Sequence, residues 1–361
     1  MPARIQRLKH LLDELAIESL LVTDETNVRY LSGFTGDSSY LLISGDRTAI
    51  LSDRRYETQI AAQCGDLQAF VRGPDRNMNQ LVTEAVESFS VAEVGFEASS
   101  VSCSLFEGFR QHLPNVDWKP TEGLVQKLRQ IKEPEEVDAI RRAIHIAQRS
   151  YQAIRATLRI GQTELQIAYE LESWIREFGG QGCGFPTIIA IDANAALPHA
   201  QPGTVKIDAD STVLIDWGAK YDGYTSDMTR MIAIGTIQPK LAEIYPIVLE
   251  AQLAAIDAIR PGVQLAAVDE AARSVIRNAG YGDQFGHGLG HGIGLQVHES
   301  PRMSAIMEGE LEAGMIVTVE PGIYLPGNLG VRIEDDVLVT SQGREVLSSS
   351  PKGLDDCTVM L

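Results

Sequence analysis

Between Phe285 and Glu299 the chain places His287, His291 and His298 among five glycines, so fifteen residues hold three of its seven histidines. Imidazoles among glycines suit a backbone pressed against a ligand or metal, because glycine removes bulk and tolerates positive φ. A phosphate loop is the rival, but the stretch has neither a Lys-Ser/Thr ending nor an in-register G-x-G-x-x-G. On this reading its glycines make room for a substrate.

Carboxylates supply a second chemistry. Thr212–Ala219 is an apolar strand interrupted by Asp216, Asp222-Gly223 is a two-residue turn signal, and Asp227 begins the return strand. Pairing about that turn sets Asp216 opposite Thr229, two residues from Asp227 on the same face, with the two backbones within about 7–8 Å. Like charges so close cost stability or shift pKa unless a cation lies between them. Met315–Gly322 repeats the device with Glu320 ahead of a Pro-Gly turn. A strand expected over 331–339 places Arg332 and Glu334 on one face. Each strand alone could carry an ordinary solvent-facing charge. Together with His291 they offer four carboxylates and one imidazole, a hard donor set without thiolate. It suits two divalent cations per chain, Mn²⁺ first, with Co²⁺ or Zn²⁺ as alternatives.

The elements that must position these groups follow from periodicity. Ile5, Leu8, Leu11, Leu12 and Leu15 share a helical face, Leu20–Val22 reads as a buried strand, and Tyr40–Ile43 with Ala49–Leu51 form a hairpin. Strand and helix alternate through 67–70, 78–88, 94–96 and 102–112, an α/β unit of about 120 residues. Pro134 starts a long amphipathic helix with Ile140, Ile144, Ala147 and Tyr151 on one face. Thr163-x-x-Gln166 is a capping box for the next helix. Helices over 239–259 and 266–279 follow, with strands at 186–191, 212–217, 229–234 and 315–320. The expectation is α+β: an N-terminal α/β domain, 1–123, and a larger domain, 124–361, with a mainly antiparallel sheet.

At 361 residues the chain exceeds the usual single-core size of about 250–300, which agrees with two domains. A formal net charge of −18 argues against nucleic-acid or anionic-membrane partners, which require clustered Lys and Arg. Cys64, Cys103, Cys183 and Cys357 lack C-x-x-C spacing, pointing to a reducing compartment and no thiolate zinc site. The N-terminus shows no apolar signal core and no 18-residue apolar run occurs, so the cytoplasm is the expected location.

The segments "IDWGAKYDGYTSDMTR", "HGLGHGIGLQVHE", "VTVEPGIY" and "VRIEDD" together resemble the Xaa-Pro peptidases, aminopeptidase P and prolidase, metallopeptidases of the pita-bread fold. "FPTIIA" and "NAALPHAQP" around His199, the junction "LRQIKEPEEVDAIRRA", and "NVRYLSGFTGDSSYLLI" with "LSDRRY" extend the resemblance over nearly the whole chain. Ile191-Asp192-Ala193 departs from the Ser-Gly pair more usual there, a change expected to touch only a neighbouring loop. The resemblance implies a creatinase-like N-terminal domain and the metal-ligand set Asp216, Asp227, His291, Glu320 and Glu334. Asp216 would chelate one ion, His291 and Glu320 the other, and Asp227 and Glu334 would bridge them. It further implies a bridging hydroxide as nucleophile, Glu320 as proton carrier, His199 and His298 as catalytic substrate-side donors, and His287 and Arg332 at the substrate pocket, Arg332 by orienting carboxylates.

The implied substrate is a proline-containing peptide, cut after its N-terminal residue, and the implied assembly is a homodimer. The Gly33–Tyr40 segment favours aminopeptidase P over a dipeptide-restricted prolidase. Methionine aminopeptidase is disfavoured by the extra N-terminal domain. Metal-free creatinase chemistry, and a peptide-binding module that has lost its ligands, are disfavoured by the complete donor set.

Overall fold

The computed structural model describes residues 3–361 and divides into two compact units, one up to Arg129 and one from Gln130 onward. In the N-terminal unit a six-stranded sheet has the order β4-β3-β2-β1-β5-β6, built from β1 (Ser19–Val22), β2 (Tyr40–Ser44), β3 (Arg47–Asp53), β4 (Gln68–Arg72), β5 (Glu93–Glu97) and β6 (Asp117–Thr121). The expected hairpin is β2–β3, with Ser44 paired to Arg47 across Gly45-Asp46. Leu21, Leu42, Leu51, Leu81, Val86 and Phe109 form its core. Each such side chain, fully buried, contributes about 1.5–3 kcal/mol of transfer free energy.

The expected boundary before residue 124 moves to after Arg129. The helix Leu124–Gln130 belongs to the first unit up to its last residue, and there Tyr30 donates to the Leu128 carbonyl and Arg129 donates to Asn27. Asn27 lies on a helix, Glu25–Ser32, that the apolar pattern did not reveal. Its buried face carries Asn27 itself, held by the Glu97 carboxylate at 2.6 Å.

In the second unit two helices, α7 (Pro134–Thr157) and α8 (Glu164–Glu177), precede a four-stranded sheet of order β19-β11-β8-β7. Its strands are β7 (Ile188–Ile191), β8 (Thr212–Trp217), β11 (Met228–Ile234) and β19 (Thr358–Val359), with the short pair β9 (Lys220–Tyr221) and β10 (Tyr224–Thr225) at the tip of the β8–β11 hairpin. The capping box at Thr163 and Gln166 is present. Helices α9 (Pro239–Ala258) and α10 (Leu265–Asn278) lead to a five-stranded sheet of order β13-β12-β14-β17-β18. This comprises β12 (Gly290–Gly292), β13 (Glu299–Met303), β14 (Ile316–Val319), β17 (Asp335–Thr340) and β18 (Gly343–Val346). Strands β15 (Gly322–Leu325) and β16 (Leu329–Arg332) pair separately.

Pairing in this unit is antiparallel except between β11 and β19, as expected for the pita-bread arrangement. The single strand expected over 331–339 is in fact two. The chain leaves β16 after Arg332 and enters another sheet at Asp335, so Ile333-Glu334 forms the crossing.

Candidate metal centre

The β8–β11 hairpin has the register that its turn dictates: Trp217 opposite Met228 and Asp216 opposite Thr229. Alternation sends neighbouring side chains to opposite faces. Trp217 is fully buried, stacks on Tyr151 of α7 and donates from its indole to the Ala147 carbonyl. Asp216 therefore points the other way, as does Thr229. Gly218 lets the strands close up, since a Cβ there would lie 1.8 Å from the Ser226 carbonyl oxygen.

The glycine–histidine stretch works the same way. Cβ atoms at Gly290 and Gly292 would lie 2.0 and 2.2 Å from the carbonyl oxygens of Thr318 and Ser300. At Gly288 and Gly294 the clashes would be with the Met303 carbonyl and the Glu299 carboxylate. None of the five has positive φ, and only Gly286 has open space where a side chain would go. The reading of these glycines as room for a substrate is thus corrected: four make room for neighbouring protein, mostly flanking strands.

That close approach seats His291. Its backbone N–H donates to Thr318 Oγ1, and its ring Nδ1 faces the Gly292 carbonyl at 3.1 Å. Nδ1 thereby carries the proton and leaves the Nε2 lone pair free. Nε2 lies 3.7 Å from Asp227 and 3.4 Å from Glu320. Donor atoms of Asp227, His291 and Glu334 all fall within 4.8 Å of one another. Two donors each about 2.0–2.2 Å from one ion stand at most about 4.4 Å apart, which accommodates the 3.4 and 3.7 Å separations. Thr229 donates to Glu334 at 2.7 Å and Arg332 to Asp216 at 2.6 Å.

The electrostatics favour a cation. Burial, reinforced by Glu334 and Asp216, pushes the Asp227 carboxyl well above the usual range; burial and Glu320 do the same to Glu334. Glu320 is pushed up to about 8, mainly by burial. Burial lowers His291 to about 4, which keeps it a neutral donor. Asp216 Oδ1 and Asp227 Oδ1 are buried without hydrogen-bond partners. Three carboxyls raised by burial, two orphaned acceptors and a free imidazole lone pair fit divalent cations, which would hold Asp227, Glu320 and Glu334 ionised.

All nine residues singled out from the sequence line one cavity of about 850 Å³. His199 and His298 are exposed within it, and His298 stands edge-on to His291 at 4.5 Å. His287 faces the Tyr324 hydroxyl at 2.9 Å, which in turn accepts from Arg332. Arg332, almost fully buried, thus joins Asp216 to that tyrosine.

Sequence reasoning gave no site role to Tyr324, Thr229, Thr318 or Asp336. Asp336 is completely buried and accepts from the Asp227 amide. The run of three acids in "VRIEDD" was the one available signal for it. Arg302 also lines the cavity, on β13 opposite His291, and among the described residues no carboxylate lies within ion-pair reach of it. At the departure noted above, Asp192 takes a left-handed φ of 52° and receives the Thr212 amide at 2.7 Å. It shapes the turn after β7 and does not line the cavity.

Residues 138–341 match the model for metallopeptidase family M24, and residues 4–131 match the creatinase/prolidase N-terminal domain. An Xaa-Pro dipeptidase of Pyrococcus furiosus is 35% identical over 98% of this chain and 100% of its own. The solved structure of an Xaa-Pro dipeptidase from Bacillus anthracis superposes with a TM-score of 0.94 at 38% identity, covering 99% of both chains. That of an X-Pro aminopeptidase from Thermotoga maritima superposes at 0.90 with 33% identity, over 98% of this chain and 100% of the other. The chain belongs to metallopeptidase family M24, the Xaa-Pro peptidase family, and is a metallo-exopeptidase.

Proposed function

We propose that this protein is an Xaa-Pro dipeptidase, hydrolysing the bond between the first residue and proline in dipeptides. This departs from the aminopeptidase P preference drawn from Gly33–Tyr40. That segment lies in the N-terminal unit, where Tyr56 donates to Asp37, and the carboxylate cluster belongs to the other unit. The observation that carries the dipeptidase reading is Arg302, a cation without an acidic partner in the cavity that holds the carboxylate cluster. In an Xaa-Pro dipeptide the proline carries a free carboxylate, and a guanidinium is the natural receptor for it. In a longer peptide that charge is replaced by a neutral amide. Two relatives named Xaa-Pro dipeptidase support the same choice.

Asp216, Asp227, His291, Glu320 and Glu334 would hold two divalent ions, with Mn²⁺ the best match to a donor set of one imidazole and four carboxylates. When bound, the ions supply Lewis-acid polarisation of the peptide carbonyl and acidify water. Glu320, 3.4 Å from His291 Nε2 in the cluster, would carry a proton to the imide nitrogen. His298 and His199 would donate hydrogen bonds to the carbonyl oxygen as charge develops there. His287, fixed by Tyr324, would border the proline, and Arg332 would keep Asp216 oriented. Four free cysteines are compatible with action in the cytoplasm, and the homodimer remains part of the proposal through resemblance. Among the described residues no helix is long and apolar enough to cross a membrane. Steady-state kinetics on an Xaa-Pro dipeptide and the matching Xaa-Pro-Xaa tripeptide test the choice. A kcat/KM that is equal or higher on the tripeptide refutes it.

A further inference from the structure

Phe285–Leu289 belongs to no helix or strand: a short 3₁₀ turn ends at Gln284 and β12 begins at Gly290. The segment nevertheless lines the cavity and carries His287. Two of its five residues are glycines, and nothing packs within 4 Å of where a Gly286 side chain would stand. Such a segment is costly to order and needs external fixing.

Tyr324 holds the His287 ring and the Glu320 amide the Leu289 carbonyl, and the rest of the fixing comes from one ion pair on α10. Asp269 is fully buried and takes Arg273, one turn later, at 2.7 and 2.9 Å. Arg273 spends its remaining donors on the loop, reaching the Phe285 carbonyl at 3.0 Å and the His287 carbonyl at 2.8 Å. Asp269 accepts the Leu289 amide at 3.0 Å. The guanidinium also sits 4.2 Å over the Phe285 ring, which meets the His287 ring edge-on at 5.1 Å. Main-chain groups of three of the five residues are therefore held by a single pair, outside the metal-ligand set.

We infer that Asp269 and Arg273 are positioning residues, a clamp that holds His287 at one place on the proline side of the cavity. This rests on the Xaa-Pro reading for its consequence in catalysis, though not for the clamp itself. Arg273 makes four such hydrogen bonds, one more than the three donors of a lysine ammonium. A lysine keeps the charge and the pair but loses the second reach.

The test uses the full-length Mn²⁺-loaded enzyme with Arg273→Lys and Asp269→Asn, and Arg277→Gln as control, since Arg277 makes only an exposed pair with Glu270 on the same helix. Arg273→Lys is expected to raise KM for Ala-Pro about tenfold, with kcat within about threefold and metal content unchanged, the pattern of lost ground-state binding. Hydrogen exchange of a peptide covering 285–290 is expected to accelerate about tenfold, and Asp269→Asn to change both readouts in the same direction. Wild-type KM and exchange in Arg273→Lys would overturn the clamp. A KM rise in step with metal loss would overturn it too, by placing the pair in service of the metal ligands. If the wild type cleaves no Xaa-Pro dipeptide, the proposed function falls while the exchange comparison still decides the clamp.

Discussion

Replacing Arg302 by glutamine removes one positive charge from the cavity and leaves every candidate metal ligand in place. Arg302 is exposed, so its attraction to a substrate carboxylate is screened and falls well below the roughly 4 kcal/mol of a pair at 4 Å in an effective dielectric of 20. A charge-assisted hydrogen bond of about 1.5–3 kcal/mol is the appropriate scale. With tenfold per 1.4 kcal/mol, kcat/KM on Ala-Pro should fall by about 10- to 100-fold, mostly through KM. Alanyl-prolinamide, which lacks the carboxylate, should be turned over poorly by both proteins and lose less than about twofold on substitution. Raising ionic strength should shrink the wild-type preference for the free acid and leave the variant unmoved. An equal loss on acid and amide would show that Arg302 supports the fold of β13, and the dipeptidase argument would lose its structural basis.

Asp227→Asn should abolish turnover and lower metal content to at most one ion per chain by elemental analysis; near-normal turnover would remove Asp227 from the metal site. The metal-free protein should lose stability between about pH 6.5 and 8. Glu320, raised to about 8 by burial, binds a proton more tightly when folded, so its contribution is present below the unfolded carboxylate pKa and disappears as pH rises through 8. His291, lowered to about 4, opposes that trend only between about 4 and 6.5. Above 6.5 the carboxyls act alone, and Glu320 by itself accounts for about 2 kcal/mol over that 1.5-unit span. Differential scanning fluorimetry should show Mn²⁺ raising Tm more at pH 8 than at pH 6; a pH-independent gain would count against neutralised carboxylates. Gly290→Ala should unfold or severely destabilise the chain, because its Cβ would lie 2.0 Å from the Thr318 carbonyl oxygen. Gly286→Ala, with open space and no left-handed φ, should shift stability by less than about 1 kcal/mol in chemical denaturation.

How much of this was legible in the sequence differs from residue to residue, for physical reasons. The Asp216–Thr229 register followed from Asp222-Gly223 alone, because a two-residue turn determines every pair above it. The break after Arg332 did not show, since Val331, Ile333, Val337 and Val339 keep a strand-like alternation through the corner where the chain changes sheets. The helix Glu25–Ser32 was hidden by the buried Asn27, whose partner Glu97 lies seventy residues away. Polar burial of that kind leaves only Val28, Tyr30 and Leu31 as an apolar signal in eight residues. Tyr324 did not stand out because nothing local announces that its hydroxyl bridges Arg332 and His287.

The glycines separate two questions that composition merges. A glycine reports that something comes close; it does not report what. Five in a histidine-rich stretch invited a ligand as the answer, yet for Gly290 and Gly292 the close object is a neighbouring strand's backbone. That packing is what brings His291 within 3.4 Å of Glu320, a residue twenty-nine positions later on a different strand end. The site is therefore made by sheet geometry first. The histidines that the motif displays so openly become a ligand and pocket walls because flanking strands, and the Asp269–Arg273 pair behind them, leave the chain no other course.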